Sequence, residues 1–271
     1  MTVRTGILNI SPLVYALASI RFAPWPLMAN KISEIHDELR DIVPLIQHIQ
    51  VQPIDLSGQV VHAEGAAPGV WMLMSSDRSH GLHLAPDQLL VFSSKYRRYA
   101  DFEKVIDKGL EVLLKHMRFV DVTSTGVRYI DRIKIRENEK FQDYINESLL
   151  PADFAGLDRV GGLITGVYKD NDVELRVRCV TQPDVLSVPE DMIGVLAMVQ
   201  EPGKPLQLNM LTNREFLLDM DAIKNYPEPQ RMDNKQDLLQ QLKLLHQVAN
   251  KFFRHKDVFN GYAFKVWKGE D

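Results

Sequence analysis

Arg128, Asp131 and Arg132 fall within Gly126-Val127-Arg128-Tyr129-Ile130-Asp131-Arg132-Ile133, a segment with the alternation of a β-strand. On a strand the two arginines share a face about 13 Å apart, a span that suits successive phosphates or a carboxylate-bearing ligand. The alternative is a solvated strand face, or pairing with carboxylates such as Glu174 across a sheet. Asp131 points the other way, with Val127, Tyr129 and Ile133, and a carboxylate on an apolar face must be paired or functional.

Asp219 and Asp221, in Phe216-Leu217-Leu218-Asp219-Met220-Asp221, form a second constellation. They would point to one side of a strand and could hold a divalent cation, with Asp131 or His246 as a distant third group. The alternative is a polar strand face at a sheet edge. His80 and His83 lack the i, i+4 helical spacing and adjacent Glu of a zincin, and His246 sits on the rim of a helix stripe, where a satisfied histidine is the simpler reading. Cys179 lies on the apolar face of its strand, a packing position and not a nucleophile's. The cationic run Lys95-Tyr96-Arg97-Arg98-Tyr99 interleaves Lys95, Arg97 and Arg98 with tyrosines, which could neutralise and stack on single-stranded nucleic acid. Its other reading is a charged connector whose tyrosines pack beneath the next helix. No Gly-x-Ser-x-Gly elbow, P-loop or Gly-x-Gly-x-x-Gly occurs, so no complete catalytic set is present and no cofactor is expected.

The elements that must position these residues follow from hydrophobic spacing. Leu13 to Phe22 reads as a buried strand closed by Pro24 and Pro26, and Met28, Ile32, Ile35, Leu39 and Ile42 form a helix stripe before Pro44. Between Gln47 and Phe92 the chain breaks into short segments; Val70–Ser75, Gly81–Leu84 and Gln88–Ser93 predict a three-stranded meander. Asp101 is the expected N-cap of a second helix ending near Arg118, followed by a strand over Val127–Ile135 whose odd-numbered face is the better core face. A weaker helical stretch, Glu139 to Leu150, ends at Pro151. Leu163–Tyr168 and Val173–Val180 predict a hairpin, Ile193–Val199 and Phe216–Met220 two further strands, and Asp233–His255 a third long helix capped at Asp233.

The expected fold is therefore α+β: two sheet-rich halves with mainly antiparallel strands, packed by three long amphipathic helices. The halves are 1–150 and 151–271, or one continuous domain, with any functional site in the cleft between them. With 271 residues, 45% of them hydrophobic, the chain can build a substantial core. A net charge of −4 gives no global pull toward nucleic acid or an anionic leaflet. One cysteine and no run near the ~20 apolar residues of a membrane span make the cytoplasm the expected compartment, without membrane association.

Pro12-Leu13-Val14-Tyr15-Ala16 with Ile20-Arg21-Phe22, the central Gly126 to Ile133 segment, and Leu244-Leu245-His246 with Phe252-Phe253 together resemble a sporadically distributed prokaryotic family of uncharacterised proteins of about this length. The resemblance spans nearly the whole chain and implies no activity, cofactor or catalytic residue; patchy distribution suggests mobile-element or defence genes. The leading expectation is a non-enzymatic binding or regulatory protein with a protein partner. The alternatives are a metal-dependent hydrolase or nuclease using Asp219 and Asp221, and a nucleic-acid-binding module using Lys95, Arg97, Arg98, Arg128 and Arg132.

Overall fold

Met28, Ile32, Ile35 and Leu39 are each almost fully buried, as their helical spacing requires. They belong to a computed structural model that describes residues 4–50 and 69–270; the broken sequence between 51 and 68 lies outside the described residues. In chain order the elements are β1 (Leu13–Phe22), α1 (Met28–Leu39), β2 (Leu45–Gln50), β3 (Gly69–Met74), β4 (His80–Ala85), β5 (Gln88–Ser93), α2 (Tyr99–Met117), β6 (Val120–Lys134), α3 (Phe141–Tyr144), β7 (Leu163–Asp170), β8 (Val173–Val180), α4 (Ile193–Val199), β9 (Glu215–Met232), α5 (Lys235–Phe253) and α6 (Gly261–Lys268).

The nine strands form one antiparallel sheet ordered β2-β3-β4-β5-β1-β6-β9-β8-β7. The sheet runs unbroken across residue 150, because β6 pairs with β9 along most of its length; the expected segments 1–150 and 151–271 thus share it. The α+β class holds, with a richer helical layer than three long helices. α2 and α5 have 19 residues each, α1 only 12, and the eight-residue α6 carries Phe264 and Trp267 into the core.

One face of the sheet carries the main core, where α1, α2 and α5 bury Ile35, Leu110 and Leu242 against Ala18, Val127, Tyr129 and Met220. The other carries a smaller core of Leu17, Met72, Phe92, Ile130 and Leu217. It is covered by Met192, Val195, Met198 and Leu211, from the segment that contains α4. Both faces of β6 are therefore buried at its centre, which explains why its alternation is imperfect.

Several local expectations are corrected. Ile193–Val199 is helix, not strand: a seven-residue apolar run has no decisive period, and Glu190 and Asp191 in the preceding turn suit a helix start. α2 begins at Tyr99, so Asp101 is not its cap but a first-turn residue paired with Arg98. Asn234, not Asp233, caps α5, its Oδ1 accepting from the Gln236 N–H at 3.0 Å. Glu139–Leu150 forms only the single turn α3 and a short 3-10 turn. β9 runs far past Met220 despite Pro227 and Pro229; β8 leaves it at Ile223, and the register with β6 shifts between Ser124 and Val122, so neither proline breaks a paired ladder.

The meander is set by close backbone approach at Gly81. A Cβ there would meet the Leu73 carbonyl oxygen at 2.2 Å and the Phe92 ring at 2.8 Å. Gly81→Ala is expected to cost about 1–3 kcal/mol, read as a lower urea midpoint with an unchanged slope. An unshifted midpoint would show that the β3–β4 crossing has slack.

Candidate functional site

Across an antiparallel pair, opposed residues point to the same side of the sheet, and this separates the candidate residues into two groups. Asp131 opposes Leu218 and Tyr129 opposes Met220, on the face covered by α5. Arg128 opposes Asp221 and Ile130 opposes Asp219, on the other face. Asp131 and His246 therefore lie across the sheet from Asp219 and Asp221, and the four cannot converge on one metal ion or substrate.

On the far face the arginines are consumed by internal ion pairs. Asp219, 3% exposed, accepts from Arg128 Nε at 2.7 Å and Nη2 at 2.9 Å, and from Arg178 Nη2 at 2.6 Å. Asp191, at the turn before α4, also binds Arg128 and so ties the covering segment to β6. Burial pulls the Arg128 guanidinium down, but its bonds to Asp219 and Asp191 outweigh that and leave it above its ordinary value. Arg132 donates through Nη2 to Glu215 at 2.9 Å, while its buried Nε has no partner among the described residues. Glu174, the expected carboxylate partner, instead pairs with Arg176.

Asp221 shares Asp219's face, and desolvation pushes its carboxyl up to about 6. A carboxylate already held by two guanidiniums beside one that resists ionisation is a poor pair of cation ligands. Among the described residues no group of three or more His, Cys, Asp and Glu is placed to hold a metal. Cys179 is buried, and desolvation raises its thiol to about 12, so it is no nucleophile at neutral pH.

The run Lys95 to Tyr99 is split between roles. Lys95 pairs with Asp77 at 2.8 Å and Arg98 with Asp101 through two bonds. Arg97 is exposed and makes no ion pair among the described residues. The tyrosines turn inward, Tyr96 edge-on to Phe102 and Tyr129, and Tyr99 stacked on His246 with centroids 4.1 Å apart and planes 6° from parallel.

These inward tyrosines wall a cavity of about 260 Å³ above β6 and β9. Asp131 and Tyr129 of β6 and Met220 of β9 form its floor; Tyr96, Tyr99, His246, Phe253 and Arg254 form its sides; Gly6, Ile7 and Leu8 lie over it; and Arg97 and Arg98 stand at its exposed rim. It draws on residues from both sides of position 150. The covering segment is fastened from below. Arg254 donates to the carbonyl oxygens of Arg4 and Gly6, and the Ile10 N–H donates to the Trp267 carbonyl.

The electrostatics inside are unusual for a core. Asp131 is 2% exposed, and its Oδ2 has no hydrogen-bond partner. Desolvation first, and the Asp219 charge through the sheet second, raise its carboxyl well above the usual range. The buried Tyr99 hydroxyl is likewise unpartnered. Burial pushes the Tyr96 phenol up to about 12 and pulls the His246 imidazole down to about 4, so both are neutral at pH 7. Tyr129 Oη and His246 Nδ1 are hydrogen-bonded at 2.8 Å. Arg254 keeps its charge without a carboxylate partner among the described residues; its Nε donates to Asn250 Oδ1.

The spacing on β6 singled out Asp131, but nothing local linked it to Tyr99, His246 or Arg254. Only the packing of α2 and α5 side by side over the sheet brings those residues together. No protein-family model matches the chain, and no curated protein is similar to it.

Proposed function

We propose that this chain is a non-enzymatic binding protein, regulatory in role, that holds a small planar anion in the cavity over Asp131. The single observation behind this reading is the pair of unpartnered polar atoms on the cavity wall, Asp131 Oδ2 and Tyr99 Oη. Buried polar groups are ordinarily satisfied, and leaving one unpaired costs about 1–3 kcal/mol. Asp131 and Tyr99 line one cavity, where a single ligand can complete the hydrogen bonds of both. The aromatic walls favour a flat molecule and the cations Arg97 and Arg254 an anionic one. A non-enzymatic role fits a cavity in which the Tyr96 phenol, at about 12, and the His246 imidazole, at about 4, both lie away from pH 7.

The test is ligand-observed NMR with a library of small planar anions, followed by the His246 ring resonances of the labelled protein. Expected are hits that move His246 and lose at least about tenfold in affinity in Tyr99→Ala. A library with no hit, or hits indifferent to that substitution, would remove the reading.

A further inference from the structure

We infer that the cavity ligand is a nucleoside monophosphate, with its base against Asp131 and Tyr99 and its phosphate at the Arg97 and Arg98 rim. The inference rests on the small-ligand reading above and names the ligand class.

The floor of the cavity selects for a base edge. A carboxyl whose ionisation burial disfavours and a phenol can each donate one proton and accept on lone pairs, and Asp131 Oδ2 and Tyr99 Oη are unpartnered. A purine or pyrimidine edge alternates ring nitrogen, N–H and carbonyl or amino groups, so donors and acceptors can be matched on both sides. An ammonium group presents three donors and no acceptor, so it cannot accept from the Tyr99 hydroxyl or from a protonated carboxyl. A free amino acid is therefore the poorer occupant.

The walls and the rim continue the match. Tyr99 and His246 form a parallel stack whose outer face a base can extend, while Tyr96 and Tyr129 meet each other edge-on. At the exposed rim stand Arg97, free of ion pairs among the described residues, and Arg98, whose partner Asp101 is itself exposed. α2 begins at Tyr99, so the positive end of its dipole faces the same rim. A volume of about 260 Å³ sits at the small end of ligand pockets, which suits one base and sugar with a phosphate projecting outward and excludes a dinucleotide.

Titration calorimetry with AMP, GMP, CMP and UMP, each beside its parent nucleoside, tests this directly. Inorganic phosphate and phenylalanine serve as further probes, and His246 ring shifts report the site. At least one monophosphate should bind saturably, with its nucleoside weaker by about tenfold or more. The Arg97→Ala/Arg98→Ala double variant should lose a similar factor and flatten the salt dependence. Asp131→Asn, which fixes the donor and acceptor pattern of the floor, should reorder the four bases. The assignment is overturned if none of the four binds at millimolar concentration, or if inorganic phosphate binds as tightly as the best monophosphate. It is equally overturned if the best affinity is unchanged in both Asp131→Asn and Tyr99→Phe, with both variants shown to be folded by circular dichroism. Should phenylalanine or a planar anion move His246 where nucleotides do not, the nucleotide assignment falls and the small-ligand reading stands. Should nothing move His246, both fall.

Discussion

Asp219→Ala should be the most damaging single change in the chain, lowering the unfolding free energy by about 3–5 kcal/mol. The variant removes two of the bonds of the Arg128 guanidinium, whose side chain is only 13% exposed, and leaves Asp191 as its remaining hydrogen-bonded carboxylate, with Asp221 opposite it on the same face. Asp191 is 60% exposed and belongs to the covering segment rather than the sheet, so it holds Arg128 only while that segment stays docked. Arg178, 42% exposed, can turn to water and relieves part of the loss. The damage should therefore spread to Met192, Val195 and Leu211, which cover the small core on this face. Urea unfolding measures the total, and hydrogen exchange in α4 measures the spread. The paired replacement Arg128→Met/Asp219→Leu should recover most of the stability, because a buried ion pair rarely outperforms apolar groups of similar size. A loss below about 1 kcal/mol in Asp219→Ala would mean the network is a surface decoration.

The same network shows how far residue spacing could reach. The alternation around Arg128 and Asp131 correctly separated the two faces of β6, and the stripes of α1, α2 and α5 located their buried sides. Spacing alone could not say which carboxylate would meet Arg128. Glu174 and Asp219 were equally available, and the outcome depended on β9 inserting between β6 and β8. That insertion is a long-range pairing with no local signal: β9 follows β8 by more than thirty residues and still lies beside it. The cavity was hidden for the same reason. Its floor comes from β6, its sides from the α2 entrance and the middle of α5, and its cover from residues before β1. A partly buried histidine on a helix rim is ordinary by itself. It becomes informative only with Tyr99 stacked on it and Tyr129 bonded to it. What the spacing does expose is Asp131: one carboxylate on the apolar face of Val127, Tyr129 and Ile133, with no cation beside it on that face.

That carboxyl leads to the second large effect, in the opposite direction. Asp131→Asn should make the protein more stable at neutral pH, by an amount that grows with pH. In the folded chain burial holds the Asp131 pKa above its ordinary value, whereas the unfolded chain releases the proton near the usual ~3.9. The folded state thus binds more protons between those two values, and the wild-type contribution falls by about 1.4 kcal/mol per pH unit across that window. Below pH ~4 both states of the wild type are protonated and the difference from the variant shrinks to a hydrogen-bond term. Above the folded-state pKa the gap is constant. Asp221, at about 6, weakens the wild type with the same sign between ~4 and 6, but it is present in both proteins and cancels in the subtraction. His246, at about 4, cancels likewise. Urea unfolding of both proteins from pH 3 to 9 checks the shape: a gap independent of pH, or a wild type more stable at pH 8, would mean that Asp131 is ionised and paired in the folded protein. A gap that opens as expected means the sheet carries a destabilising acid that one isosteric change would remove, the trade expected where a residue is retained for what it binds.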